Sequence, residues 1–274
     1  MAPDELTPRM VRLRDQLRNH ERNAGVVWFD GFHVRRGEQA VRVPGVHEWM
    51  RTHVFPEYNF RDAYRRGSAK KTKSRWDALK FSAAHCGRKA GLQAHADIEF
   101  FATASRTERM VRRKPLNPHS QKFIAAMSAM GLTMLLSEFV VYDEDMFATP
   151  VDVVCMRRAP KPGERELVLV ELKTARTTDA FLAPGKHDMR PPFDFMKDGQ
   201  ASQAVVQVTL AQMVLRKRYG IDTDAMVLFS PLDKFVIRKI EIPRQLWPTA
   251  QRAVFARLSQ VHRNKAAARP AKRK

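Results

Sequence analysis

Val151-Asp152-Val153-Val154-Cys155-Met156 and Leu167-Val168-Leu169-Val170-Glu171-Leu172-Lys173 are two apolar runs separated by Arg157 to Glu166, a polar stretch holding Pro160, Pro162 and Gly163. Runs of this length, rich in Val and Leu, read as buried strands, and the connector reads as a hairpin loop. Each run is broken by charge near one end. Alternation along a strand puts Glu171 and Lys173 on one face and turns Leu172 away into the core. In an antiparallel pair, Asp152 at the start of the first strand lies opposite the end of the second, so three charges converge at one edge of the sheet.

Working outward, Leu132 to Tyr142 is a third apolar run and reads as another strand. Before it, residues 119–130 set Phe123, Ile124, Met127 and Met130 on one helical stripe, ended by Gly131. After the hairpin, residues 175–199 hold Pro184, Gly185, Pro191, Pro192 and Gly199 and read as a loop free to move. A helix over 200–218 ended by Gly220 follows, then strands at Ala225 to Ser230 and Phe235 to Ile242 and a helix over 244–262. Upstream, Leu6, Met10, Leu13 and Leu17 predict an amphipathic lead-in helix, Val26 to Phe29 a strand, and Val46 to Val54 a short helix. Residues 76–103 read as two helical runs, with Gly87 and Gly91 marking a bend or a close approach of backbone. The chain divides on this reading into an extension, 1–75, a core, 76–262, and a basic tail, 263–274. The tail reads equally as a nuclear address, a DNA arm or a solubilising end.

The sequence has 274 residues, with 49 Lys and Arg against 29 Asp and Glu for a formal charge of +20. Such a field concentrates polyanions, so nucleic acid is the leading partner. Arg61, Arg65, Arg66, Lys70, Lys71, Lys73 and Arg75 form a basic segment that is either a solvated face or an arm on phosphates. A membrane is the competing polyanion, but no run of about 18 uncharged apolar residues exists. Met1 to Leu13 lacks the apolar centre of a signal peptide, which predicts an intracellular protein, nuclear if the tail is an address and cytoplasmic otherwise. Cys86 and Cys155 have no cysteine or histidine partner at zinc-ligand spacing, so both are expected to be reduced and structural.

Two carboxylates a few ångströms apart repel each other unless a cation sits between them, so Asp152 and Glu171 imply a bound metal. Mg²⁺ or Mn²⁺ suits oxygen ligands. Beside them, the amine of Lys173 can position or help deprotonate a water, or stabilise charge building on a phosphate. Those are the parts that phosphodiester hydrolysis needs.

Asp152 and Glu171-Leu172-Lys173, with 18 residues between Asp152 and Glu171, resemble the signature of the PD-(D/E)XK nucleases. Gly91-Leu92-Gln93-Ala94-His95-Ala96-Asp97-Ile98-Glu99 resembles the G-x-x-x-H helix of the RecB-like branch and of mitochondrial genome maintenance exonuclease. Glu138 resembles that branch's additional acid, and Gln207 its Q-L-x-x-Y helix, though Val208 follows Gln207 and the tyrosine is missing. The matches run in family order over residues 87–219.

The resemblance implies an α/β, restriction-endonuclease-like fold, a mixed β-sheet flanked by helices with an N-terminal helical extension. It implies Mg²⁺ or Mn²⁺ on Asp152, Glu171 and the Leu172 carbonyl, Lys173 positioning water, and Glu138 and His95 in a supporting or second-metal role. Gln207 completes the catalytic set, and Arg88 and Lys89 are read either as contacts to a terminal phosphate or as a solvated turn. The function expected is a metal-dependent DNA nuclease, an exonuclease more than an endonuclease, in recombination, repair or viral replication. A silent nucleic-acid-binding protein keeping this fold, and a resolvase or restriction-type endonuclease, are the rival classes. Oligomeric state cannot be read from these residues.

Overall fold

The computed structural model describes residues 6–24, 27–28, 32–36, 39–55, 90–104, 106–111, 115–175, 177–232, 234, 236–254 and 256. The basic segment 61–75, the helical run 76–89 with Cys86, Arg88 and Lys89, and the tail 263–274 lie outside them.

Five strands form the central sheet in the order β4 (Leu132–Asp143), β5 (Phe147–Arg157), β6 (Leu167–Ala175), β7 (Thr223–Pro231) and β8 (Arg238–Ile240). β4, β5 and β6 pair antiparallel, β6 pairs parallel with β7, and β8 returns antiparallel. The sheet is mixed and flanked by helices, as expected, and the hairpin strands are central. Arg157 N–H donates to Glu166 O at 2.8 Å across the hairpin. The parallel step needs a long crossover. It is made by α7 (Gln200–Tyr219), which Gly220 ends at φ 65° in the left-handed region.

β6 shows how the sheet divides its two sides. Leu167 and Leu169 pack with Val205, Val208 and Leu215 of α7 and with the first helices, α1 (Pro8–Ala24) and α2 (Val46–His53). Val168, Val170 and Leu172 pack on the opposite face against Ile98 of α3 (residues 90–103) and Phe123 and Met127 of α5 (Pro118–Ala129). Each fully buried Leu or Val contributes about 1.5–3 kcal/mol, which fixes which face of β6 meets which helices. α5 begins where Asn117 caps His119 N–H with Pro118 in the first turn, and Gly131, at φ 70°, follows its end. Short α4 (Arg106–Val111) joins α3 towards α5.

Three strands, β1 (Val27–Trp28), β2 (Phe32–Arg36) and β3 (Gln39–Val43), form a separate antiparallel sheet where the sequence predicted only the first. Phe32 and Val43 pack there on Tyr142 and Ala148. The loop over 175–199 contains α6 (Thr178–Leu182) and is tethered. Phe181, Met189 and Phe193 are buried, and Arg190 N–H donates to Val54 O at 2.7 Å. The described part of the last helix spans residues 246–254.

Candidate metal centre

Asp152 lies in the middle of a strand, not at its start, because β5 begins at Phe147 and pairs Thr149 with Val141 and Pro150 with Val140. Pro150 is tolerated since the β5–β6 ladder ends at Val153↔Val170 and asks nothing of its missing N–H. One step further along that register would set Asp152 opposite Glu171. There the strands part, and Asp152 Oδ2 accepts the backbone N–H of Leu172 at 2.6 Å in place of a strand carbonyl. On the other side, Ser137↔Val153 and Phe139↔Val151 bracket Glu138 opposite Asp152. Glu138, Asp152 and Glu171 thus form one row across three adjacent strands.

Glu138 has φ 49°, the left-handed region that side chains rarely adopt. Holding a glutamate there costs on the order of 1–3 kcal/mol and marks this point of β4 as shaped for something other than pairing. Its Oε1 lies 3.3 Å from His95 Nδ1, which is also 3.4 Å from Asp152 Oδ1.

His95 reaches the row because α3 lies close on the sheet. A Cβ on Gly91 would stand 2.8 Å from Thr174 Oγ1 of β6, so any larger residue there would force the hydroxyl or the helix to shift. Ala94 and Ile98 are buried on either side of His95. Asp97, 2% exposed, ties α3 to the start of α5: its Oδ2 accepts from Asn117 N–H at 2.6 Å and from the Ser120 hydroxyl at 3.2 Å. The sequence reading left Gly91 as either a bend or a close approach of backbone, and gave Asp97 no role.

The electrostatics follow from crowding carboxylates. Burial, and then the neighbouring Asp152, push Glu171 up to about 7. Burial likewise raises Asp152, against the pull of His95 and Lys173. For His95 burial favours the neutral ring, but the hydrogen bond to Glu138 and the charges of Asp152 and Glu138 outweigh it and lift the imidazole to about 9. Lys173 Nζ donates to Glu171 Oε1 at 2.5 Å. Burial works against the ammonium, yet Glu171 and Asp152 raise its pKa, so Lys173 stays charged.

One ligand atom each from His95, Glu138 and Asp152 lies within 4.8 Å of the others, a group that can hold a metal ion. The donors, two carboxylates and an imidazole, fit a divalent cation, which would offset the burial, and the added repulsion, that raise Asp152 and Glu171. Glu171 is outside this triple. Leu172 buries its side chain in the α3–α5 core, as predicted, and offers its N–H to Asp152. Gln207, 6% exposed, sits on α7 with no hydrogen-bond partner for its Oε1 among the described residues.

No protein-family model matches the chain, and no curated protein matches it. Among solved structures, a Eubacterium rectale protein described as a candidate exonuclease aligns with 65% of this chain and 68% of its own. The identity is 13% and the TM-score 0.34, a likeness too slight to bear on function. No helix among the described residues is long and apolar enough to cross a membrane.

Proposed function

We propose that the protein is a Mg²⁺- or Mn²⁺-dependent nuclease that hydrolyses phosphodiester bonds in DNA and works from ends, as an exonuclease in end processing. The observation that carries the reading is the row Glu138, Asp152 and Glu171, with the Lys173 ammonium on Glu171 and His95 on the other two acids. A charge of +20 supports a polyanionic substrate. The resemblance of Gly91 to Glu99 to a G-x-x-x-H helix supports an exonuclease.

Asp152, Glu171, the Leu172 carbonyl, Glu138 and His95 would hold the cation, and Gln207 would contact substrate. When bound, the cation polarises the phosphate and stabilises negative charge on its oxygens. Lys173 places a fixed positive charge beside the phosphate as charge develops there, and Glu171 orients that ammonium. Asp152 is itself oriented by the Leu172 N–H, and the Glu138–His95 pair closes the far side of the site.

The test is digestion of end-labelled linear and closed circular DNA with Mg²⁺, Mn²⁺ or EDTA, comparing wild type with Lys173→Ala. Metal-dependent loss of linear DNA alone is expected, with Lys173→Ala slower by about 10²–10³-fold. Cutting of the circle makes the protein an endonuclease. Binding without cutting by both proteins leaves only a nucleic-acid-binding function.

A further inference from the structure

We propose that the β7–β8 hairpin is a clip for an unpaired DNA strand at the metal centre, with Arg238 on a phosphate and Val236 against a base. The inference rests on the nuclease reading and names the part of the substrate that is held.

Strand register brings the hairpin to the site. Lys173 of β6 pairs with Phe229 of β7, and Phe229 pairs with Arg238 of β8, so the three form one row across neighbouring strands. Residues opposite each other in adjacent strands share a face, and strands lie about 4.8 Å apart. Arg238 therefore starts about 10 Å from Lys173, on the same side of the sheet. Its neighbours fix that face: Ile240 packs on the α7 side, as Leu169 does, and Ile237 packs on the α3–α5 side. Alternation about Ile237 returns Val236 to the side of Arg238 and Lys173, further towards the end of β6 where the row of acids lies.

This stretch leaves an apolar residue exposed between two cations. Lys234, Val236 and Arg238 are all exposed, Val236 to 55%. Among the described residues no hydrogen bond or ion pair holds the ammonium of Lys234 or the guanidinium of Arg238. The described residues of the hairpin, 232, 234 and 236–240, include no acid.

Edge strands carry charge to block pairing with other chains, and that accounts equally for Arg238 and Lys239. It does not account for Val236, because an apolar side chain on an edge invites the contact that charge prevents. A nucleotide accounts for both kinds of residue at a spacing of two: a phosphate for the guanidinium and a base for the valine. Bases stacked inside a duplex cannot turn to the protein, whereas those of a single strand can, so the occupant is an unpaired strand. The distance from Lys173 places the held phosphate within about three nucleotides of the cut.

The experiment is binding of a fluorescein-labelled single-stranded oligonucleotide, in EDTA, over a series of salt concentrations. Arg238→Gln is expected to reduce the slope of log affinity against log salt by about 0.7, the value of one single-strand phosphate contact. Val236→Ala should weaken binding about twofold to tenfold and leave the slope unchanged. Lys239→Gln is the control: it removes the adjacent charge from the same edge strand, on the opposite face, where its pairing partner Leu228 packs against the α3–α5 side. All three side chains are exposed, so each variant should melt as wild type does. If Arg238→Gln and Lys239→Gln give the same slope while wild type digests DNA ends, the clip is overturned and the nuclease reading stands. Binding that depends on Arg238, without digestion in Mg²⁺ or Mn²⁺, keeps the clip and removes the nuclease. An equal loss of affinity for a blunt duplex overturns the assignment to an unpaired strand, and wild type that binds no DNA at any salt overturns both readings.

Discussion

Asp97 and Asp152 are both buried, at 2% and 7% exposure, yet their surroundings are opposite. Asp97 is met by donors on every side: Gln93 Nε2 at 3.0 Å, Asn117 N–H at 2.6 Å and the Ser120 hydroxyl at 3.2 Å. The same α3–α5 side of the sheet pairs buried His119 with the Ser230 hydroxyl at 2.8 Å. Asp152 has one backbone donor and the His95 ring at 3.4 Å, and it stands in a row with two more acids. Burial does not separate these two aspartates. The sign of what surrounds them does: folding alone selects donors around a buried acid, and a row of like charges lowers stability and so implies another use.

The largest effects should come from giving each aspartate the same change, to asparagine. Asp152→Asn should lower metal-dependent cleavage by about 10³-fold or more, while its Tm holds or rises. The amide oxygen can still accept from Leu172 N–H, and a carboxylate that burial disfavours is gone. Asp97→Asn should do the reverse. Its amide hydrogens face donors, at a cost of about 1–3 kcal/mol in stability, with a smaller loss of activity per folded molecule. Thermal melts and end-labelled digestion on both variants decide it, and a lowered Tm for Asp152→Asn beside an unchanged one for Asp97→Asn breaks the comparison.

The row was legible because strand alternation needs no tertiary information: Glu171, Lys173 and the turned-away Leu172 follow from a period of two. Asp152's place in mid-strand was not, since Phe147 to Pro150 is extended only by pairing with β4 and the apolar pattern starts at Val151. Of the second sheet only the Val26 to Phe29 run was legible, since β2 and β3 are five residues each with no long apolar stretch. Asp97 was given no role, because its burial depends on the start of α5, 20 residues on. The φ of Glu138 is likewise a consequence of packing.

A middle-sized effect should come from the junction that links the two regions. Gly91 lets α3 close on Thr174, and Asp97 holds the same helix from the other side, with His95 between them. Gly91→Ala should displace α3 and move His95 off Glu138 and Asp152. The expected cost is about 1–3 kcal/mol in stability and up to about 10²-fold in rate, the effect of a shift near 1 Å. Removing the opposing oxygen with Thr174→Ala should restore most of both, a non-additivity that a double-mutant cycle measures. Equal damage in the single and double variants would mean that Gly91 acts through helix propensity and not through the contact.

The smallest effect, and the sharpest on the electrostatics, is the pH dependence of stability in the absence of divalent ions. Glu171 is raised from 4.5 to about 7, so the stability it lends is full below 4.5 and lost as pH rises through 7. His95 is raised from 6.5 to about 9, so its share is full below 6.5 and lost as pH rises through 9. Both therefore act in the same direction, and Tm should fall between about pH 5 and 9. Millimolar Mg²⁺ or Mn²⁺ should reverse the fall most strongly at the alkaline end, where Glu171 is ionised and His95 has lost its proton. Asp152→Asn should flatten both the fall and the recovery, because it removes the charge that raises Glu171 and supports protonated His95, whereas Asp97→Asn should lower the whole curve without changing its slope.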